Sequence, residues 1–180
     1  MKLDSVHRTM IEALQRDGRM SINALAEHLG ISRSNAYQRF ERLVSEGIIR
    51  GFSAQVSPPE VGLPISALVF VTLDQRLWPE FRAGLSSIAE LEYFAVTTGG
   101  HDCMLLIRSA SVTRIHTLVS LELASWESVK STETVFLMDE QWSWPELPDA
   151  DAPAAAQGPA LGQETGMTRF IRQRRPAPGE

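Results

Sequence analysis

Between residues 32 and 50 the chain sets out side chains that donate and accept hydrogen bonds and carry positive charge: Ser32, Arg33, Ser34, Asn35, Gln38, Arg39, Arg42 and Arg50. Hydroxyls, amides and guanidinium groups are what meets the phosphates and base edges of a DNA duplex. Their spacing decides whether they can act together. At about 100° per residue, Ala36, Phe40, Leu43 and Val44 fall on one apolar stripe, while Ser34, Asn35, Gln38 and Arg42 gather on the opposite side. The first set is expected to pack and the second to read. Arg39 lies at the edge of the packing stripe. A DNA contact and a salt bridge to Glu46 or another carboxylate are both open to it.

Such a helix must be held at a fixed angle. Ser32 can cap it over residues 32–46, and Gly30 suits the turn after Leu25 and Leu29 because glycine tolerates positive φ. Ser21 can cap the helix before that turn. Asp4 can cap a first helix in which Val6, Met10, Ala13 and Leu14 recur near helical spacing and which Gly18 ends. After Gly47, residues Ile48, Ile49 and Phe52 read as a strand returning along the helical core, with Arg50 set to meet phosphate. Residues 1–56 are thus expected to form a winged helix-turn-helix on double-stranded DNA. A three-helix subdomain with solvated basic residues is the alternative reading of this segment.

The formal charge of −5 speaks against nucleic acid until it is divided along the chain. Residues 1–50 hold eight Lys/Arg against six Asp/Glu, whereas residues 51–144 hold five against eleven. The basic surplus sits with the reading helix. It is small, so strong binding is expected to need several copies on neighbouring sites. Cys103 is the single cysteine, and the four histidines lack ligand spacing, so neither a disulfide nor a metal site is expected. No apolar stretch has the length of a membrane span or a signal-peptide core. The cytoplasm is the expected compartment.

Residues 57–64, dense in proline and glycine, are expected to form a linker. Beyond them, Ile65–Leu73, Leu91–Thr97, Cys103–Arg108 and Val129–Met138 read as strands, with helices over Trp78–Ala89 and Ser111–Trp126. The order β-α-β-β-α-β predicts an α+β, ferredoxin-like domain over residues 65–144, with two helices on one face of an antiparallel sheet. Ile65–Leu73 and Leu105–Ile107 are apolar on both parities. Both sheet faces are therefore expected to be buried, one by helices and one by a second subunit, giving a homodimer. Residues 145–180 are rich in Ala, Pro, Gly and charge and are expected to be a disordered tail, with a basic segment at 167–175.

The combined pattern resembles the leucine-responsive regulatory protein and asparagine-operon regulator (Lrp/AsnC) family over residues 2–140. The resemblance is carried by Leu3-Asp4 with Ile11 and Leu14; Asp17-Gly18-Arg19; Leu25-Ala26 with Leu29-Gly30-Ile31-Ser32; Arg39 to Leu43; and Glu46-Gly47-Ile48-Ile49 with Gly51-Phe52. It implies a transcription regulator that dimerises, builds tetramers or octamers, and binds a small effector, commonly an amino acid, between dimers. The family's effector loop usually reads Gly-Asp-aromatic-Asp, and the matching run here is Thr98-Gly99-Gly100-His101-Asp102. Glycines let backbone N–H groups approach a carboxylate, and Asp102 offers an acceptor to an ammonium group. The same residues also make a tight turn between strands, which leaves a purely structural role open. Thr132 and Thr134 on the last strand are the residues expected to complete the pocket.

Two other functions fit the same architecture. A related group resembles sirohaem-decarboxylase subunits, with His-Asn-Tyr and Asn-x-Trp-Phe signatures, where this chain reads Glu92-Tyr93-Phe94-Ala95 and Asp102-Cys103-Met104-Leu105. No nucleophile with a partnered base, metal cluster or phosphate loop is evident, so neither catalytic residues nor a cofactor are expected. The other is an oligomeric small-molecule-binding protein that does not bind DNA.

Overall fold

The computed structural model describes residues 2–148. They fall into two compact units, residues 2–55 with 141–148, and Val56–Glu140. The expectations for residues 149–180, including the basic segment at 167–175, lie outside the described residues.

The first unit holds three helices, each started by a side chain that satisfies an orphan amide. Asp4 accepts from the His7 N–H at 2.8 Å and begins α1, Ser5–Arg16. Ser21 accepts from the Ala24 N–H and begins α2, Ile22–Leu29. Ser32 accepts from the Asn35 N–H and begins α3, Arg33–Ser45. Between α2 and α3, Gly30 takes the left-handed φ of 65°, and the Ile31 N–H reaches back to the Ala26 carbonyl at 3.0 Å. This closes the helix end and drops Ile31 onto the core. Met10, Leu25, Ala36 and Leu43 are fully buried at the meeting point of the three helices. Burying each large apolar side chain is worth about 1.5–3 kcal/mol, so this small core sets the angle of α3.

Three local expectations change. α1 ends at Arg16 with Asp17, not Gly18, as its cap. Val44 is 42% exposed instead of packed, because it sits at the margin of the apolar stripe. The segment around Ile48 to Phe52 is not a strand. Among the described residues it has no neighbouring strand to pair with, and its order comes from packing: the Phe52 ring stacks on Phe40 at 6.3 Å and covers Gly18.

The second unit is a four-stranded antiparallel sheet in the order β2-β3-β1-β4, with β1 Ile65–Leu73, β2 Leu91–Val96, β3 Cys103–Ser109 and β4 Val129–Leu137. Helix α4, Trp78–Gly84, is shorter than expected and is continued by a 3-10 turn over Leu85–Ser87. Helix α5, Val112–Thr117, runs on through a π-turn and a 3-10 turn to Ser125. These segments bury Ala67, Val69, Val71 and Leu73 of β1 with Cys103, Leu105 and Ile107 of β3 against Phe81, Ile115, Leu118 and Leu123. Gly84 is required there, since a Cβ would stand 2.7 Å from the Trp126 ring.

The other sheet face carries Leu68, Phe70, Met104 and Leu106, placed side by side by the β1–β3 register. Tyr93 and Val135, about half exposed, flank them. At one end Arg108, 5% exposed, is held by Glu92 of β2, Ser66 of β1 and Glu140 beyond β4. The paired carboxylates of Glu140 and Glu92 push its pKa further up, while Arg108 holds the Glu140 carboxyl below its ordinary range.

Candidate functional site

The exposed face of α3 carries Ser34, Asn35, Gln38 and Arg42, as helical spacing requires. Arg33 at the first turn and Arg50 beyond the helix are exposed too. Arg42 has Glu46 one turn later at 3.7 Å, both partly exposed, an arrangement that leaves the guanidinium accessible to an anion. Ser32 is spent on its cap, with its hydroxyl 3.1 Å from that of Ser34. Tyr37, 54% exposed, stands one turn from Ser34 and extends the same surface. Residue-type reasoning passed over it because an aromatic in an amphipathic helix reads as core.

Arg39 does not stand with the others. On the helical wheel it falls about 40° from buried Leu43, and its guanidinium turns toward α1. Nη1 donates to Asp4 Oδ2 at 2.6 Å and Nε donates to Asn35 Oδ1 at 2.9 Å. Of the two expected roles the structure shows the salt bridge: the carboxylate partner is Asp4, and the side chain braces α3 against the start of α1. His7, buried beside them, has Nδ1 2.7 Å from Asp4 Oδ1. Burial opposes ionisation of Asp4, but the His7 N–H and Arg39 outweigh it and hold the carboxyl at about 2.

The 98–102 loop turns between β2 and β3. Thr98, Gly99 and Gly100 are exposed, and Gly99 takes a φ of 123° that favours glycine. Thr97 caps the turn by donating from Oγ1 to the His101 carbonyl at 2.7 Å. Asp102 is engaged within the sheet. It is 4% exposed, its Oδ2 accepts from the Leu73 N–H at 2.6 Å, and its Oδ1 faces Gln75 Nε2 at 3.3 Å. The carboxylate secures the end of β1 where the β1–β4 register shifts. It also adds to the burial that pushes the Cys103 thiol up to about 12.

Thr132 and Thr134 are not brought to this loop's polar face. They stand opposite Val71 and Val69, which point into the helix-covered core. Directly paired residues share a face. His101 lies on the other face, with its ring 5.4 Å from Phe70 and its Nε2 3.1 Å from Glu133. Glu133, between the two threonines, is the residue of β4 that meets the loop. Period-two alternation would have separated it from them had the loop been assigned a face. Among the described residues no cluster of three or more His, Cys, Asp or Glu is placed to hold a metal. No helix among them is long and apolar enough to cross a membrane.

Residues 3–50 match a model for winged helix-turn-helix DNA-binding domains, and residues 66–143 match a model for the Lrp/AsnC ligand-binding domain. The chain is 32% identical to the transcriptional regulator LrpA of Mycobacterium tuberculosis over 136 residues, which cover 75% of this chain and 90% of the relative. It is 31% identical to the proline dehydrogenase transcriptional activator of Rhizobium radiobacter over 139 residues, 76% and 89% of the two chains. The fold superposes on a Neisseria meningitidis transcriptional regulator solved with L-methionine, with a TM-score of 0.74 at 25% identity over 81% of this chain and 96% of that one. With a capped helix-turn-helix in one unit and a β2-β3-β1-β4 sheet in the other, the chain belongs to the Lrp/AsnC family of DNA-binding transcription regulators.

Proposed function

We propose that α3 enters the major groove and reads base edges with Ser34, Asn35, Gln38 and Arg42, while Arg33 and Arg50 meet phosphates and Ser32 keeps the helix start rigid. The observation that carries this reading is the polar, exposed face of a helix whose opposite face, Ala36 and Leu43, is fully buried. Arg39 holds that face in place. Domain limits at residues 1–56, 57–64 and 65–144 go with it. A gel shift on the chain's own upstream DNA tests the proposal: a shift at low salt that weakens as salt rises supports it, and no shift at low salt leaves an oligomeric small-molecule-binding protein that does not bind DNA.

The apolar sheet face of Leu68, Phe70, Met104 and Leu106 supports a homodimer closed across that face, with tetramers or octamers as its larger forms. Sedimentation at micromolar concentration should return a species heavier than the 20.0 kDa chain. A 20.0 kDa species alone contradicts the dimer. For the effector we favour an α-amino acid at the 98–102 loop. The L-methionine bound by the N. meningitidis relative supports that class. Thr98, Gly99 and Gly100 are exposed, and a glycine backbone lets N–H groups approach a carboxylate, while Glu133 beside His101 suits an ammonium group. Titration calorimetry across the amino acids, with Glu133→Ala as the control, tests this; binding by none of them removes it. A regulator of transcription works beside the DNA, and the cytoplasm is the compartment this reading implies.

A further inference from the structure

We infer that Arg39 is a positioning residue that decides which base edge Asn35 reads. The inference rests on the proposal that α3 reads the duplex. Guanidinium nitrogens only donate, so the atom of Asn35 that faces Arg39 Nε at 2.9 Å must be the amide oxygen. Arg39 is in turn anchored by Asp4 at 2.6 Å, from the start of a different helix, with His7 Nδ1 3.0 Å from the same guanidinium nitrogen. The Asn35 amide is thereby turned with its oxygen inward and its NH2 outward, on an exposed position of the reading face.

This orientation has a consequence for recognition. An unconstrained asparagine pairs with adenine through both groups, the oxygen accepting from N6 and the NH2 donating to N7. With its oxygen turned toward Arg39, Asn35 presents the NH2 outward and favours bases with acceptors to meet it: guanine offers two, N7 and O6, and thymine O4, whereas adenine offers N7 alone and sets its N6 amine donor-to-donor against the amide. Asp4 and Arg39 never touch DNA in this account. They set the specificity of a residue that does.

The arrangement needs the two separated donors of a guanidinium. Nε serves Asn35 while Nη1 serves Asp4, and the single nitrogen of a lysine cannot stand in both places, nor does its flexible stem fix the direction of its donors. Lysine keeps the charge yet loses the relay. That separates specificity from simple charge.

Selection from randomised duplexes with the full-length chain tests this, using wild type, Arg39→Met, Arg39→Lys, Asp4→Asn and Asn35→Ala, each first checked for a cooperative thermal melt. Wild type should prefer guanine or thymine at one position, and Asn35→Ala should flatten that position alone. Arg39→Met and Arg39→Lys should each raise the preference for adenine there by roughly tenfold, leaving the other positions unchanged. Asp4→Asn keeps a capping oxygen and should give a smaller shift of the same sign; it decides the matter if the Arg39 variants do not melt cooperatively. Identical selected sequences from wild type and the folded variants overturn the inference while leaving α3 as the reader. An Asn35→Ala profile identical to wild type overturns it as well. Selection of no sequence by wild type removes the reading helix itself, and the inference with it.

Discussion

On α3, Ser34, Gln38 and Arg42 stand exposed on a helix fixed by buried Leu43 and Ala36. In the 98–102 loop the most promising polar group, the Asp102 carboxylate, is 4% exposed and already accepts from the Leu73 N–H. Both segments carry polar residues at suggestive spacing. They differ in what fixes direction. A helix with one packed face dictates where every other side chain points. A turn does not, and its side chains go wherever a buried amide lacks a partner. Polar residues on a helix surface are therefore candidates for recognition, and polar residues at a strand end are first candidates for completing the sheet.

The sharpest way to break this contrast is at α3. Gln38→Ala combined with Arg42→Ala should weaken binding to a selected duplex by about a hundredfold, given 1–3 kcal/mol per base-reading pair. The melting temperature should stay nearly unchanged because both residues are exposed. Fluorescence anisotropy and calorimetry check the two halves. Asp102→Ala should behave oppositely. It leaves the Leu73 N–H unpaired in a buried site, costing about 1–3 kcal/mol in urea unfolding, and any loss of effector binding should follow the loss of fold. An Asp102→Ala chain of wild-type stability that no longer binds effector would make Asp102 the ammonium acceptor first expected.

Acid gives a smaller effect. Asp4 is held at about 2 against an ordinary 3.8. A carboxyl lowered in the folded state stabilises above its unfolded value, and the gain is lost as pH falls through the folded one. Glu90 and Glu140 are lowered as well, by Arg114 and Arg108 respectively. Stability should therefore decline as pH falls through the carboxylate range toward 2, and Asp4→Asn should flatten part of that decline. Its share is under about 1 kcal/mol, since the Asp4 side chain is half exposed and screened. Smallest of all should be Thr132→Val and Thr134→Val. Both face away from the loop's polar side, so effector affinity by titration calorimetry should stay within about twofold, whereas Glu133→Gln should change it more.

Much of the fold was legible because it rests on periodicity and caps. Asp4, Ser21 and Ser32 each accept the amide that the helix-start pattern assigns them, and β1 spans Ile65–Leu73 as its apolar run suggests. What escaped depends on partners distant in sequence. Arg39 finds Asp4 across 35 positions, and Arg108 gathers Glu92 and Glu140 across the sheet. No local spacing announces such pairs. The expected wing strand at Ile48 to Phe52 failed for a related reason: residue types favour extension, but a strand also needs a neighbour. That Thr132 and Thr134 share the helix-covered face while His101 meets Glu133 on the other was not legible, because a face cannot be assigned to a turn until the strands on either side are registered.

If α3 is one of a pair of readers, hydroxyl-radical footprinting of the full chain on its upstream DNA at low salt should show it most directly. Two protected windows are expected about one helical turn, 10–10.5 base pairs, apart, both lost with Gln38→Ala and Arg42→Ala together. A duplex left unprotected, or one protected equally by wild type and the double variant, would contradict it.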